Sequence, residues 1–120
     1  MAGRILLVGA EPDDLPWLRR TLAAGYFSVT ESPDFRGALA TAAAIQPDII
    51  MIDLGVSAEE GLSLCRRIIA TEWLSGAPVV LITRDASGEE TAAGFEAQAD
   101  DFLRKPIEPT LLLARLRALA

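Results

Sequence analysis

Three short runs of uninterrupted apolar residues constrain this chain most: Ile5 to Val8, Ile49 to Ile52 and Val79 to Ile82. A strand with one wet face alternates apolar and polar residues. These runs do not alternate, so they read as strands buried on both faces, as in a parallel sheet covered by helices. Each run ends at a small or polar residue: Gly9, Asp53 and Thr83. Tyr26 to Thr30 and Asp101 to Leu103 are two weaker strand candidates.

Helical spacing fills the intervals. Asp13 to Ala24 carries Leu15, Leu18 and Leu22, with Asp13 and Asp14 suited to accept from the free N–H groups at a helix start. Gly25 follows as the expected C-terminal cap. Pro33 to Ile45 is Ala-rich, and Glu59 to Thr71 places Leu62, Cys65, Ile68 and Ile69 on one face. Ser87 to Ala97 is weakened by Gly94. Pro109 to Leu119 sets Leu112, Leu113, Leu116 and Leu119 against Arg115. Strand and helix thus alternate five times, which predicts an α/β fold: a doubly wound (βα)5 parallel sheet with right-handed crossovers. With 120 residues and no linker or repeat, the chain reads as one domain, residues 1–120.

Charge and composition narrow the function. A net charge of −6 disfavours direct binding of nucleic acid, with a local basic patch at Arg115 and Arg117 the exception to watch. One cysteine and no histidine exclude an internal disulfide and a Cys/His zinc site. Cys65 reads as a small buried or half-buried apolar group. No apolar stretch approaches the ~20 residues of a membrane span, and MAGRILLVG lacks the form of a signal peptide. A cytoplasmic protein is expected.

In open α/β sheets ligands bind beyond the carboxyl ends of the strands. Those ends carry Gly9, Ala10 and Glu11, then Asp53, then Thr83 and Arg84, then Lys105. A carboxylate, a hydroxyl and an ammonium converging there suit phosphoryl transfer.

PDIIMIDLGVSAEEGLSLCRRI (Pro47 to Ile68), VVLIT (Val79 to Thr83) and ADDFLRKPIEPTLLLARLRAL (Ala99 to Leu119) resemble segments of response-regulator receiver domains, in order and with matched spacing. The C-terminal half is also similar to receivers attached to diguanylate cyclases. The resemblance implies a CheY-like, flavodoxin-like sheet of order 2-1-3-4-5 in two-component signal transduction. It implies Asp53 as the acceptor of a phosphoryl group from a histidine kinase, Thr83 as the switch hydroxyl, and Lys105 as the neutralising cation. Phe102 becomes the switch aromatic, and Lys105-Pro106 a candidate cis peptide.

Three departures from the family pattern set further expectations. The acidic pair that binds Mg²⁺ is replaced by Gly9 and Ala10, so no cofactor is expected unless Glu11 compensates, with Asp53 and the Gly55 backbone. Asp13 and Asp14 are expected to lie too far along, in the first helical turn. Arg84 stands where the family has a small residue, and Arg84 or Lys105 is expected to pair with Asp53 and occlude the cleft without a metal. Ser57 replaces the usual Pro, which predicts a looser loop.

These departures predict a degenerate receiver: a signalling domain, not an enzyme, acting through protein contacts with impaired Mg-dependent phosphorylation. Its contact surface would be the fourth helix, fifth strand and fifth helix, the face through which a homodimer would form. An output domain is expected beyond the fifth helix of a longer regulator, or the chain stands alone. The alternative is a competent phosphoacceptor modified on Asp53, rescued by Glu11. A flavodoxin-like enzyme is disfavoured, because GAEPDD lacks the glycine spacing of a phosphate-cradling loop.

Overall fold

The computed structural model describes residues 2–74 and 76–120. Five parallel strands form one sheet in the order β2-β1-β3-β4-β5: β1 Gly3–Val8, β2 Phe27–Ser32, β3 Ile49–Asp53, β4 Val79–Thr83 and β5 Asp101–Arg104. The connecting helices are α1 Leu15–Ala24, α2 Ala38–Ile45, α3 Ala58–Ile69, α4 Glu89–Glu96 and α5 Pro109–Leu119. A 3-10 turn over Glu72–Leu74, not anticipated from the sequence, precedes β4.

The uninterrupted apolar runs are explained by two cores, one on each face of the sheet. Leu6, Val8, Ile50, Ile52 and Leu81 face α2 and α3, packing with Ala38, Ala42, Leu64, Cys65 and Ile68. The alternate residues Ile5, Leu7, Met51, Val80 and Ile82 face α1 and α5, packing with Leu18, Leu22, Leu112 and Leu116. A strand between two helical layers needs apolar residues at every position. Cys65 is buried as expected, and burial pushes its thiol up to about 11.

Several local expectations are corrected. The second helix begins at Ala38 rather than Pro33. The Asp34 carboxylate accepts the Gly37 N–H at 3.0 Å and turns the chain there instead. Gly25 is not a left-handed cap, since its φ is −85° and the left-handed residue is Tyr26 at φ 66°. Gly25 serves close packing of α1 on α5: a Cβ there would lie 2.5 Å from Leu113 Cδ2. Gly94 has the same logic, because a Cβ would press on Phe102 and Leu81 at 2.5 and 2.8 Å. Its cost to helix propensity is the condition for seating α4 on the sheet. Ser57 does not leave the loop after Asp53 without a local anchor. Its hydroxyl accepts the Glu60 N–H at 3.2 Å and caps α3.

The parallel register brings the functional ends together. Asp53 pairs with Ile82, and Thr83 pairs with Arg104, so the carboxyl ends of β3, β4 and β5 finish side by side. Lys105 follows directly, its N–H donating to the Thr83 carbonyl at 2.7 Å. The Lys105-Pro106 peptide is cis. Among the described residues, no helix is long and apolar enough to cross a membrane.

Candidate phosphoacceptor site

Asp53 ends β3 with 0% exposure. Its Oδ1 accepts the Gly55 N–H at 2.8 Å, and its Oδ2 accepts the Glu11 N–H at 3.2 Å. Lys105, whose side chain is 4% exposed, uses all three ammonium protons on carboxylates. Its Nζ lies 2.7 Å from Asp53 Oδ2, 2.6 Å from Asp14 Oδ2 and 3.1 Å from Glu11 Oε2. Arg84, 57% exposed, closes the mouth: its Nη2 lies 2.7 Å from Glu11 Oε2 and 3.5 Å from Asp14 Oδ2.

Gly9 and Ala10 directly follow β1, yet the cleft is not short of carboxylates. Glu11, Asp14 and Asp53 each offer an oxygen within 4.8 Å of the others. The expected loss of the acidic site is thereby corrected, and Asp14 is the residue that was placed too far away. The cause is a tight turn. Asp14 N–H donates to the Glu11 carbonyl at 2.9 Å, with Pro12 at the second turn position, where its fixed φ belongs. The turn folds Asp14 back beside Glu11. Asp14 occupies the N-cap position of α1 but caps nothing with its side chain. Trp17 Nε1 donates to its Oδ1 at 3.1 Å, and Lys105 takes its Oδ2.

Gly9 explains why the acid group is not at the strand end. Its φ is +67°, and a Cβ would lie 2.7 Å from Phe35 Cζ. Gly9→Asp would combine a left-handed side-chain residue with a clash against a ring. It is expected to lower stability by about 2–3 kcal/mol, measured by urea unfolding; an unchanged midpoint would contradict this account.

Electrostatics follow the contacts. Arg84 and Lys105 hold the Glu11 carboxyl below its usual range, against the opposing effect of burial. Burial acts to raise Asp14, but Lys105 and Trp17 outweigh it and the net shift is downward. Burial acts to lower Lys105, yet bonds from Asp14 and Asp53 carry it above its ordinary value. Of the two cations expected to pair with Asp53, Lys105 does; the Arg84 bonds go to Glu11 and Asp14.

The other expected side chains bond elsewhere than to the cluster. Thr83 is fully buried at the end of β4, with its hydroxyl donating to Glu90. Phe102 is half-buried, its ring centroid 6.3 Å from that of the exposed Phe95 on α4. Arg115 is paired with Asp101 at 2.9 Å, which removes half of the suspected basic patch. Asp14 and Trp17, which bond within the cluster, are the site residues that the sequence reading does not single out; Glu90 lies outside the cluster, on the Thr83 hydroxyl. The Glu-Pro-Asp-Asp turn chemistry was the available signal for Asp14.

Residues 5–117 match the family model of the response regulator receiver domain. The chain is 37% identical over 119 residues to the response regulator PleD of Caulobacter vibrioides, covering 99% of this chain and 26% of that protein. It is also 37% identical over 119 residues to the response regulator MprA of Mycolicibacterium vanbaalenii, covering 99% and 51%. The chain thus spans about a quarter to a half of the length of these curated relatives. Among solved structures, a putative response regulator from Chloroflexus aurantiacus superposes with TM-score 0.87 at 27% identity, covering 98% of this chain and 96% of that one. The receiver domain of the sensor histidine kinase PA1611 from Pseudomonas aeruginosa, with a magnesium ion in its active-site cleft, gives 0.87 at 26% identity, covering 98% and 96%. With residues 5–117 matched by the family model, relatives 37% identical over 119 residues and a parallel sheet of order β2-β1-β3-β4-β5, the chain belongs to the response regulator receiver domain family.

Proposed function

We propose that this receiver is a competent phosphoacceptor in a two-component phosphorelay, taking a phosphoryl group on Asp53 from a phosphohistidine of a histidine kinase. The observation that carries the reading is the cluster of Glu11, Asp14 and Asp53 around Lys105. It replaces the expectation of a degenerate site, which assumed that only Glu11 could compensate.

The transfer balances simply. An Asp53 carboxylate oxygen forms a bond to phosphorus as the P–N bond to the imidazole breaks, and that electron pair stays on the ring nitrogen. The Gly55 and Glu11 N–H groups fix the Asp53 carboxylate beforehand, so little orientation is left to chance. Lys105, at bonding distance from the nucleophile, is placed to meet the charge on the transferred oxygens.

The donor set suits a hard divalent cation. Three carboxylate oxygens within 4.8 Å of one another are compatible with octahedral oxygen ligation at ~2.1 Å, where opposite ligands stand about 4.2 Å apart. Glu11, Asp14 and Asp53 would hold magnesium, and the ion would supply charge compensation for the phosphoryl oxygens. Three carboxylates against Lys105 and Arg84 leave one negative charge in the cleft, which favours such an ion. The exposed Phe95 and Leu111 support α4 and α5 as part of a protein contact surface.

The test is incubation with acetyl phosphate and Mg²⁺, read by intact mass, with Mg²⁺ binding followed by fluorescence. Trp17 is the reporter, being bonded to a proposed ligand. One phosphoryl group per chain, dependent on Mg²⁺, is the expected result. A protein that neither gains mass nor responds to the ion would refute the reading.

A further inference from the structure

The Thr83 hydroxyl is already committed on both sides. It donates to Glu90 Oε1 and accepts the Asp85 N–H at 2.9 Å. The Asp85 carboxylate accepts the Glu90 N–H at 3.0 Å and the Ser87 N–H at 2.9 Å. Thr83, Asp85 and Glu90 therefore close a circuit that joins the end of β4 to the first turn of α4. Acidic residues in a first turn ordinarily face the helix N-terminus. The Glu90 carboxylate is instead turned onto the switch hydroxyl.

Helix α4 has few other anchors at this end. It is eight residues long, and its N-cap is Gly88, with no side-chain cap. The Asp85 carboxylate stands in for that cap by taking the Glu90 N–H. A hydroxyl has one proton to donate. If Thr83 turns that proton to a phosphoryl oxygen on Asp53, it must give up Glu90, and the circuit opens.

We propose that Glu90 is a positioning residue which holds the Thr83 hydroxyl away from the phosphoacceptor and couples its release to the first turn of α4. This rests on Asp53 being the acceptor, as argued above. Glu90 takes no part in the carboxylate cluster, so its removal should leave Mg²⁺ binding alone.

The experiment uses beryllofluoride with Mg²⁺ as the phosphoryl mimic, read by Trp17 fluorescence. Glu90→Ala should lower the beryllofluoride midpoint roughly fivefold, the worth of one hydrogen bond that need no longer be broken. The Mg²⁺ midpoint should stay fixed. Glu90→Gln, which keeps an acceptor oxygen, should fall between. In a Thr83→Ala background, Glu90→Ala should shift nothing. Independently, Thr83→Ala and Glu90→Ala should each raise amide exchange at positions 85 and 90 in the unliganded protein about tenfold. An unmoved midpoint, a shift that survives Thr83→Ala, or unmoved exchange would overturn the proposal. A wild-type protein blind to beryllofluoride would instead sink the phosphoacceptor reading, and amide exchange would still decide the circuit.

Discussion

Lys105→Met is expected to lower the unfolding free energy by about 3 kcal/mol at neutral pH, because it strips the shared cation from three carboxylates. Asp53 is fully buried and the Asp14 side chain is 12% exposed, so water cannot take over from the ammonium. Arg84 remains on Glu11 and Asp14 but makes no bond to Asp53. For a domain of this size the loss corresponds to about 10 °C in Tm. The pH dependence has a definite sign. Glu11 and Asp14 titrate lower in the fold than in the unfolded chain, so their contribution is present above about pH 4 and is lost as pH falls through the folded values. Lys105 titrates higher in the fold, so its contribution holds up to about pH 10.5 and is lost only as pH rises through the raised value. In Lys105→Met the deficit should therefore be full at neutral pH and should shrink below about pH 4, as the carboxylates protonate. Millimolar Mg²⁺ should recover part of it. Urea unfolding at several pH values checks this; equal stability of mutant and wild type at pH 7 without Mg²⁺ would show that the cluster is not balanced by Lys105.

Asp53→Asn should abolish phosphoryl incorporation from acetyl phosphate, by at least about a thousandfold, while leaving the fold in place. The amide oxygen can still accept either from the Gly55 N–H or from Lys105 and the Glu11 N–H, so at least one of the three donors now facing Asp53 loses its acceptor. Against that loss, two carboxylates remain for Lys105 and Arg84, so the cleft becomes neutral. The two effects oppose each other, and Tm should stay within a few degrees of wild type. Intact mass and thermal unfolding on the same sample decide the matter. Undiminished labelling would move the acceptor to Asp14 or Glu11, the carboxylates beside it.

The two helical layers and the polar strand ends at Asp53 and Thr83 are legible from the apolar runs, whereas the strand order 2-1-3-4-5 comes from the family resemblance alone. Strand-end positions counted along the chain do not reveal the cluster. Asp14 reaches the site by a turn, and turns change distance without changing sequence separation. Taken as sequence alone, Gly25 and Gly94 signal only helix ending and helix weakness. Their neighbours, Leu113 for one and Phe102 with Leu81 for the other, come from remote parts of the chain.

By itself the sequence determined the α/β class, the parallel sheet and the set of groups gathered at its carboxyl edge. Hydrophobic periodicity is a property of each segment and survives without knowledge of its neighbours. Only the tertiary structure decided which carboxylates share Lys105, where Arg84 goes, and that Glu90 holds the Thr83 hydroxyl. Those pairings depend on side-chain approach across elements far apart in sequence, and hydrogen bonds and ion pairs are set by ångström distances rather than by spacing along the chain.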